Sequence, residues 1–241
     1  MKALNFSLVF VAVATLFFAL FFSQTYEWKD VYLYRFVFIK GFGYTVFISL
    51  ISLALSLLIG LVASLCRHSR VLILRYLAHM YIEVIRGTPL LVQLLFFFYV
   101  VSSAIGIQSR LCVGVLTLSI FSGAYIAEVL RSGIESTRKT LLESATAIGL
   151  NSYQTYRYVI FPIAFRQILP PLAGQFASII KDSSLLSILG ISEFTYAAQQ
   201  ISSATFSTLE CYFPLAVGYF ALTFPISLFS RYLEKRNAHE A

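Results

Sequence analysis

Glu143-Ser-Ala-Thr-Ala-Ile-Gly149 and, ten positions on, Val159-Ile160-Phe161-Pro162 belong to a polar, glycine-centred stretch between segments apolar enough to span a bilayer. The helix-favouring spacing stops at Gly149, where glycine takes up a left-handed, helix-ending conformation at little cost. Asn151 and Ser152 follow as caps for a second helix over about 152–160. The expectation is two short helices at an angle, with Ala145 and Gly149 on one smooth face and Pro162 marking the return into the membrane. Two readings stand. The hairpin is presented to something in the cytoplasm, or it is a solvated basic loop that only retains topology.

Outward from that stretch, the composition sets the class. Of 241 residues, 59% are hydrophobic and only 12% charged, and mean hydropathy is +0.80. A soluble domain carries roughly 25% charged residues, so a buried core does not explain the balance. An all-α, polytopic helical bundle is expected. Apolar runs near 3–22, 41–65, 72–106, 112–130, 164–190 and 209–230 give about five to six spans. Run 72–106 is too long for one straight helix, and Gly87-Thr88-Pro89 inside it predicts a break. Cys66, Cys112 and Cys211 lack ligand spacing and read as small apolar fillers.

The net charge of +7 reflects loop placement and does not point to nucleic acid. Lys2, Arg67, Arg70, Arg75, Arg131, Arg138, Lys139, Arg157, Arg166, Arg231, Lys235 and Arg236 fall on one side of the spans. Lys29, Arg35, Lys40 and Arg110 fall on the other. The excess of Lys and Arg on cytoplasmic loops then places both termini and the 131–166 loop inside the cell. Run 3–22 reads as a retained signal anchor, with a cleaved signal peptide as the alternative although no small-x-small site stands out. Segment 23–40 is a short outer-face linker.

Ionisable groups at membrane depth are costly and mark function. Lys181 and Asp182 lie about 20 Å along a helix beyond Arg166 and point about 100° apart, so they do not simply neutralise each other. Asp182 is expected to accept a ligand α-ammonium with Ser183 and Ser184 in support; the alternative is a pair that locks helices or lines a gate. Arg75, His79, Glu83 and Arg86 share one helix face. Glu83 and Arg86 pair with each other, or the strip lines the cavity. The freed backbone at Gly87 and Thr88 is assigned to a ligand carboxylate, and Gln93 to polar lining. His79 has no partner at ligand spacing, so no metal is expected. Glu128, three residues before Arg131, reads as a salt-bridged helix end. No cofactor is expected. Gly41-Phe42-Gly43 lacks the lysine of a phosphate loop, and no Walker-type segment exists.

The motif Glu143-Ser-Ala-x3-Gly149-x9-Val159-x-Phe161-Pro162 resembles the cytoplasmic EAA coupling loop of binding-protein-dependent ABC import permeases, with Ser144, Val159 and Phe161 as departures that keep size or apolar character. Glu83-Val-Ile-Arg86-Gly87-Thr88-Pro89-Leu90-Leu91-Val92-Gln93, Ser122-Gly123-Ala124-Tyr125-Ile126-Ala127-Glu128 and Lys181-Asp182-Ser183-Ser184-Leu185 are similar to the polar amino acid permease branch, whose members import histidine, glutamine, arginine and related solutes. The resemblance implies a type I ABC importer permease fold over 41–236, with a coupling loop at about 138–162 around Glu143, Ala145, Gly149 and Pro162. Residues 1–40 would be an anchor and linker, and 237–241 a cytoplasmic tail. It further implies two ATPase subunits that bind the ATP, a second permease subunit, and a periplasmic or lipid-anchored solute-binding protein. The competing class is an ion-gradient-driven transporter of small zwitterions, which leaves the hairpin unexplained.

Overall fold

The computed structural model describes residue 15 and residues 28–135 and 139–239. The anticipated first span, 3–22, lies outside the described residues apart from Thr15, and so does its reading as a signal anchor. Among the described residues the chain is helical throughout, without strands.

A short helix α1 (Lys29–Leu33) leads into α2 (Arg35–Arg67), which begins six residues before the expected span. Its partner is α6 (Arg110–Glu135), and this pair is the centre of the molecule. Lipid tails are as apolar as leucine, so helices in a bilayer associate through close approach of small residues. Thr45, Ser49, Ser52, Ser56 and Gly60 of α2 are buried, as are Ser119, Ser122 and Gly123 of α6. A β-carbon on Gly60 would lie 2.7 Å from the Ile126 Cγ2, and one on Gly123 would lie 2.8 Å from the Ile59 Cγ2. Two buried hydroxyls of α6 fold back on their own helix: Thr117 donates to the Val113 carbonyl at 2.8 Å, and Ser119 to that of Val115 at 2.6 Å.

Between these two helices come α3 (Leu72–Arg86), α4 (Leu90–Phe96), a π-turn over Phe97–Val101 and α5 (Ser102–Ile105). The break falls at Gly87-Thr88-Pro89 as expected, but its two legs diverge by 109°. Run 72–106 is therefore an elbow: a broken span or a re-entrant loop.

After α6 a helical hairpin, α7 (Lys139–Ala147) and α8 (Ser152–Thr155), leads through a π-turn at Tyr156–Ile160 into α9 (Phe161–Asp182). The expected span 164–190 ends at Asp182. A 3-10 turn over Ser183–Leu189 follows, closed by Gly190 at φ 71°. Helix α10 (Phe194–Thr205), unforeseen in the hydropathy, then packs on α2, and α11 (Thr208–His239) closes the chain along α9.

By length and composition α2, α6 and α11 can cross a bilayer, and the bent pair makes a fourth candidate. Helix α9 is not among them, because Arg166, Gln167, Gln175 and three prolines interrupt its apolar run.

Candidate functional site

The hairpin is closed by backbone geometry that the sequence signals directly. Gly149 sits at φ 81° with open space around its α-carbon. The Leu150 N–H bonds the Ala145 carbonyl at 3.1 Å and the Gly149 N–H bonds that of Thr146 at 3.0 Å. This pair of bonds is the Schellman helix end, which satisfies carbonyls that a terminating helix leaves orphaned. On the other arm the Asn151 side chain accepts from the Gln154 N–H at 2.9 Å while the Gln154 side chain accepts from the Asn151 N–H at 2.9 Å. Two caps therefore fix the corner at Gly149–Asn151.

One expectation for this hairpin is corrected. Ala145 is only 3% exposed, turned into the corner that the Schellman bonds close, whereas Gly149 is exposed. They do not share one outer face. Pro162 lies at the start of α9, directly after the π-turn over Tyr156–Ile160. The helical path runs through it from Ser152 to Asp182, and the chain reverses at Gly149, as expected. Glu143 is exposed on α7. Ile148, Tyr153, Tyr156 and Tyr158 are each at least half exposed, and α7 packs chiefly on Ser152–Ile160. The result is a capped hairpin with an uncovered apolar and aromatic surface, rooted in a continuous helical rod.

At the elbow, side chains replace donors that the backbone lost. Proline at 89 has no N–H for the Ile85 carbonyl four residues back. The Gln93 Nε2 supplies one at 2.7 Å and also donates to the Thr88 carbonyl at 3.1 Å and to the Thr88 Oγ1 at 2.7 Å. The Thr88 hydroxyl in turn donates to the Val84 carbonyl at 2.9 Å. Gln93, 6% exposed, is thus a staple of the bend and not the polar lining expected of it. Thr88 and Gly87 remain exposed at the corner.

Arg86 does not pair with Glu83. It reaches across to Glu128 on α6 at 3.7 Å and lies over the Tyr125 ring at 5.5 Å. Glu128 also meets Arg67 at 2.9 Å and Arg131 at 2.5 Å, and Arg131 continues to Glu135. The expected salt-bridged helix end is present, enlarged into a cluster that ties α2, α3 and α6. Glu83, Arg75 and His79 stay on the exposed side of α3.

Lys181 and Asp182 point apart, as the helix geometry requires: Lys181 is exposed and Asp182 half-buried, and neither forms an ion pair with a described residue. Ser183 is turned inward, fully buried, its hydroxyl donating to the Ile180 carbonyl at 2.8 Å. It is spent on starting the 3-10 turn and does not support Asp182. Sequence reasoning missed Glu193, which is wholly buried and caps α10. Its carboxylate accepts from the N–H groups of Thr195 and Tyr196 at 2.8 and 2.7 Å and from the Tyr219 hydroxyl at 3.0 Å. The signal was an acid at the cap position just after Gly190-Ile-Ser.

The family model of the binding-protein-dependent transport system inner membrane component matches residues 56–239. The glutamine transport system permease protein GlnP of Escherichia coli (strain K12) is 38% identical over 214 residues, 88% of this chain and 97% of that protein. The probable amino-acid ABC transporter permease protein YckA of Bacillus subtilis (strain 168) is 39% identical over 202 residues, 83% of this chain and 89% of its own length. A crystal structure of an amino acid ABC transporter with histidines matches with a TM-score of 0.82 at 34% identity, covering 88% of this chain and all of that one. The inward-facing MetNI methionine ABC transporter, 16% identical with a TM-score of 0.68, shares the fold. Most of the chain, including the hairpin, the Glu128 cluster and the Asp182 turn, therefore lies within one match, and the protein belongs to the family of binding-protein-dependent transport system inner membrane components.

Proposed function

We propose that this chain is the permease subunit of an ABC importer for polar amino acids, moved by ATP hydrolysis on a separate pair of ATPase subunits. One observation carries the reading: the capped Lys139–Ile160 hairpin offers Ile148, Tyr153, Tyr156 and Tyr158 uncovered, and its second arm is continuous with α9. A surface that docks on a moving subunit needs such a rigid connection to transmit displacement. The relatives' names, glutamine and amino-acid permeases, support the substrate class. Family membership sets aside the ion-gradient-driven alternative.

In this reading a second permease subunit completes the pathway and a solute-binding protein delivers the ligand from outside. The hairpin and the C-terminus face the cytoplasm, supported by the excess of arginine and lysine there. The permease domain runs over 41–236. Asp182, half-buried and without an ion-pair partner among the described residues, accepts the ligand's ammonium. The exposed Thr88 and Gly87 meet its carboxylate, with Glu83 nearby on α3. Arg86, Gln93 and Ser183 are committed to Glu128, the elbow and the Ile180 carbonyl.

Reconstitution tests this. Vesicles holding this chain, its partner permease and the ATPase pair should accumulate labelled glutamine only with ATP and the solute-binding protein present. Asp182→Asn should raise the substrate concentration for half-maximal ATPase stimulation. Accumulation by the chain alone under an ion gradient would contradict the proposal.

A further inference from the structure

The short link 68–71 turns α2 into α3. Beside it the two helices leave an apolar groove of about 450 Å³, lined by Leu58, Val62, Cys66, Leu74, Leu77 and Tyr81 among others. The floor is fixed. Tyr81 donates its hydroxyl to the Ile120 carbonyl at 2.6 Å, and Ala63 and Ala127 pack with Ile82. The outer side is open, with Leu58, Val62 and Leu77 each more than half exposed. Along α2 the lining runs from Leu58 to Cys66, about 12 Å of helix. One leaflet's share of the hydrocarbon core is about 15 Å, so the groove follows most of one leaflet.

The link closes the groove at the end that carries the Glu128 cluster, since Arg67, next to Cys66, meets Glu128 at 2.9 Å. The link itself is ordered: the Ser69 N–H bonds the Cys66 carbonyl at 3.1 Å, and the Ser69 hydroxyl accepts from the Val71 N–H at 3.1 Å. Cations gather here without acids to match them, because no Asp or Glu occurs between Asp30 and Glu83. Arg67 is spent on Glu128, and the His68 Nδ1 bonds the Ser64 carbonyl at 2.8 Å. Arg70, within the link, and Arg75, next to Leu74, are exposed, and neither forms an ion pair with a described residue. Glu83 lies about 13 Å along α3 from Leu74, away from the link.

We infer that this groove is a binding site for one anionic phospholipid, an acyl chain lying between α2 and α3 and the phosphate headgroup meeting Arg70 and Arg75. An apolar slot of leaflet depth that ends in unpaired arginines matches a lipid in both its parts, because basic pockets between membrane helices hold anionic headgroups. Arginine stems are long enough to follow apolar surface while their guanidinium groups stay at the headgroup level. A protein helix matches only the slot. The anticipated first span, 3–22, contains no acid and is preceded by Lys2, so it brings no anion to the arginines.

The test places the complete transporter in nanodiscs of equal parts phosphatidylglycerol and phosphatidylcholine, with a photo-crosslinking benzophenone amino acid in place of Val62. After illumination, mass spectrometry identifies what is joined to that position. Each arginine beside an anionic lipid contributes roughly fivefold in relative affinity, so phosphatidylglycerol adducts should exceed phosphatidylcholine adducts by about fivefold or more. In Arg70→Gln combined with Arg75→Gln the ratio should fall to about one to one, with the thermal unfolding temperature unchanged because both side chains are exposed. Equal labelling by the two lipids in the unaltered arginine background overturns the inference. So does a preference that survives the double substitution, or a crosslink to protein, whether to residues 3–22 or to a partner subunit. The readout involves no uptake, so it stands or falls separately from the importer reading.

Discussion

Pro89 and Pro170 delete the same kind of backbone donor from two helices, yet one helix turns a corner and the other runs on. At Pro89 the preceding Gly87 ends α3, the legs part by 109°, and the stranded Ile85 carbonyl is met by Gln93 of the next helix. At Pro170 no glycine precedes the proline within its turn, and α9 continues to Asp182. The Arg166 carbonyl, four residues back, takes a hydrogen bond at 2.5 Å from the Asn237 side chain, and Ser230 of α11 donates to the Pro170 carbonyl at 2.9 Å. The elbow is repaired by its own segment, whereas α9 is splinted by a neighbour. A proline alone does not decide between hinge and rod; the residues before it and the source of the replacement donor do.

The functional consequence is a division of labour. Ser152–Asp182 is a continuous rod, the part that carries hairpin motion in the function proposed above, and the elbow is a fixed corner whose Arg86 arm is tied to Glu128. The contrast breaks most severely if the rod is made flexible. Inserting two glycines between Ile160 and Phe161 should abolish ATP-driven uptake while the ATPase pair still co-purifies. Retained uptake would mean that the rod transmits nothing.

A smaller effect is expected at the elbow. Gln93→Leu keeps the volume but leaves the Ile85 and Thr88 carbonyls without their donor, at about 1–3 kcal/mol for each buried unsatisfied group. The purified subunit should unfold several degrees lower, read by a thermal-shift assay. Smaller still is Asn237→Ala, which removes one exposed bond from the splint and should cost about 0.5–1 kcal/mol. A larger loss from Asn237→Ala than from Gln93→Leu would reverse the assignment of local and borrowed repair.

The parts of this structure legible in the sequence are those governed by local chemistry. Gly149, Asn151 and Gly87-Thr88-Pro89 each announced a helix end, because capping and donor loss depend on neighbours within one turn. The apolar runs located α2, α6 and α11 for the same reason. What escaped was long-range or angular. The 109° divergence is accompanied by Gln93 bonding back over the corner, and nothing in hydropathy encodes an angle. Arg86 had Glu83 three residues away, but Glu128, forty-two residues on, won through the packing of α3 on α6. Helix α10 was obscured because its polar residues Gln199, Gln200, Ser202 and Ser203 interrupt the apolar signal. Ser183 and Gln93 looked like ligand groups since both are polar at membrane depth, and in fact both satisfy backbone carbonyls.

The central claim is that the hairpin corner at Gly149 is the joint between this chain and a moving ATPase. Uptake of glutamine by cells lacking their own permease, expressing Gly149→Asp, tests it most directly. The open space around Gly149 accommodates the side chain, and aspartate is among the residues that tolerate positive φ. The account predicts normal insertion and subunit abundance with uptake lost, whereas uptake at the wild-type rate would contradict it.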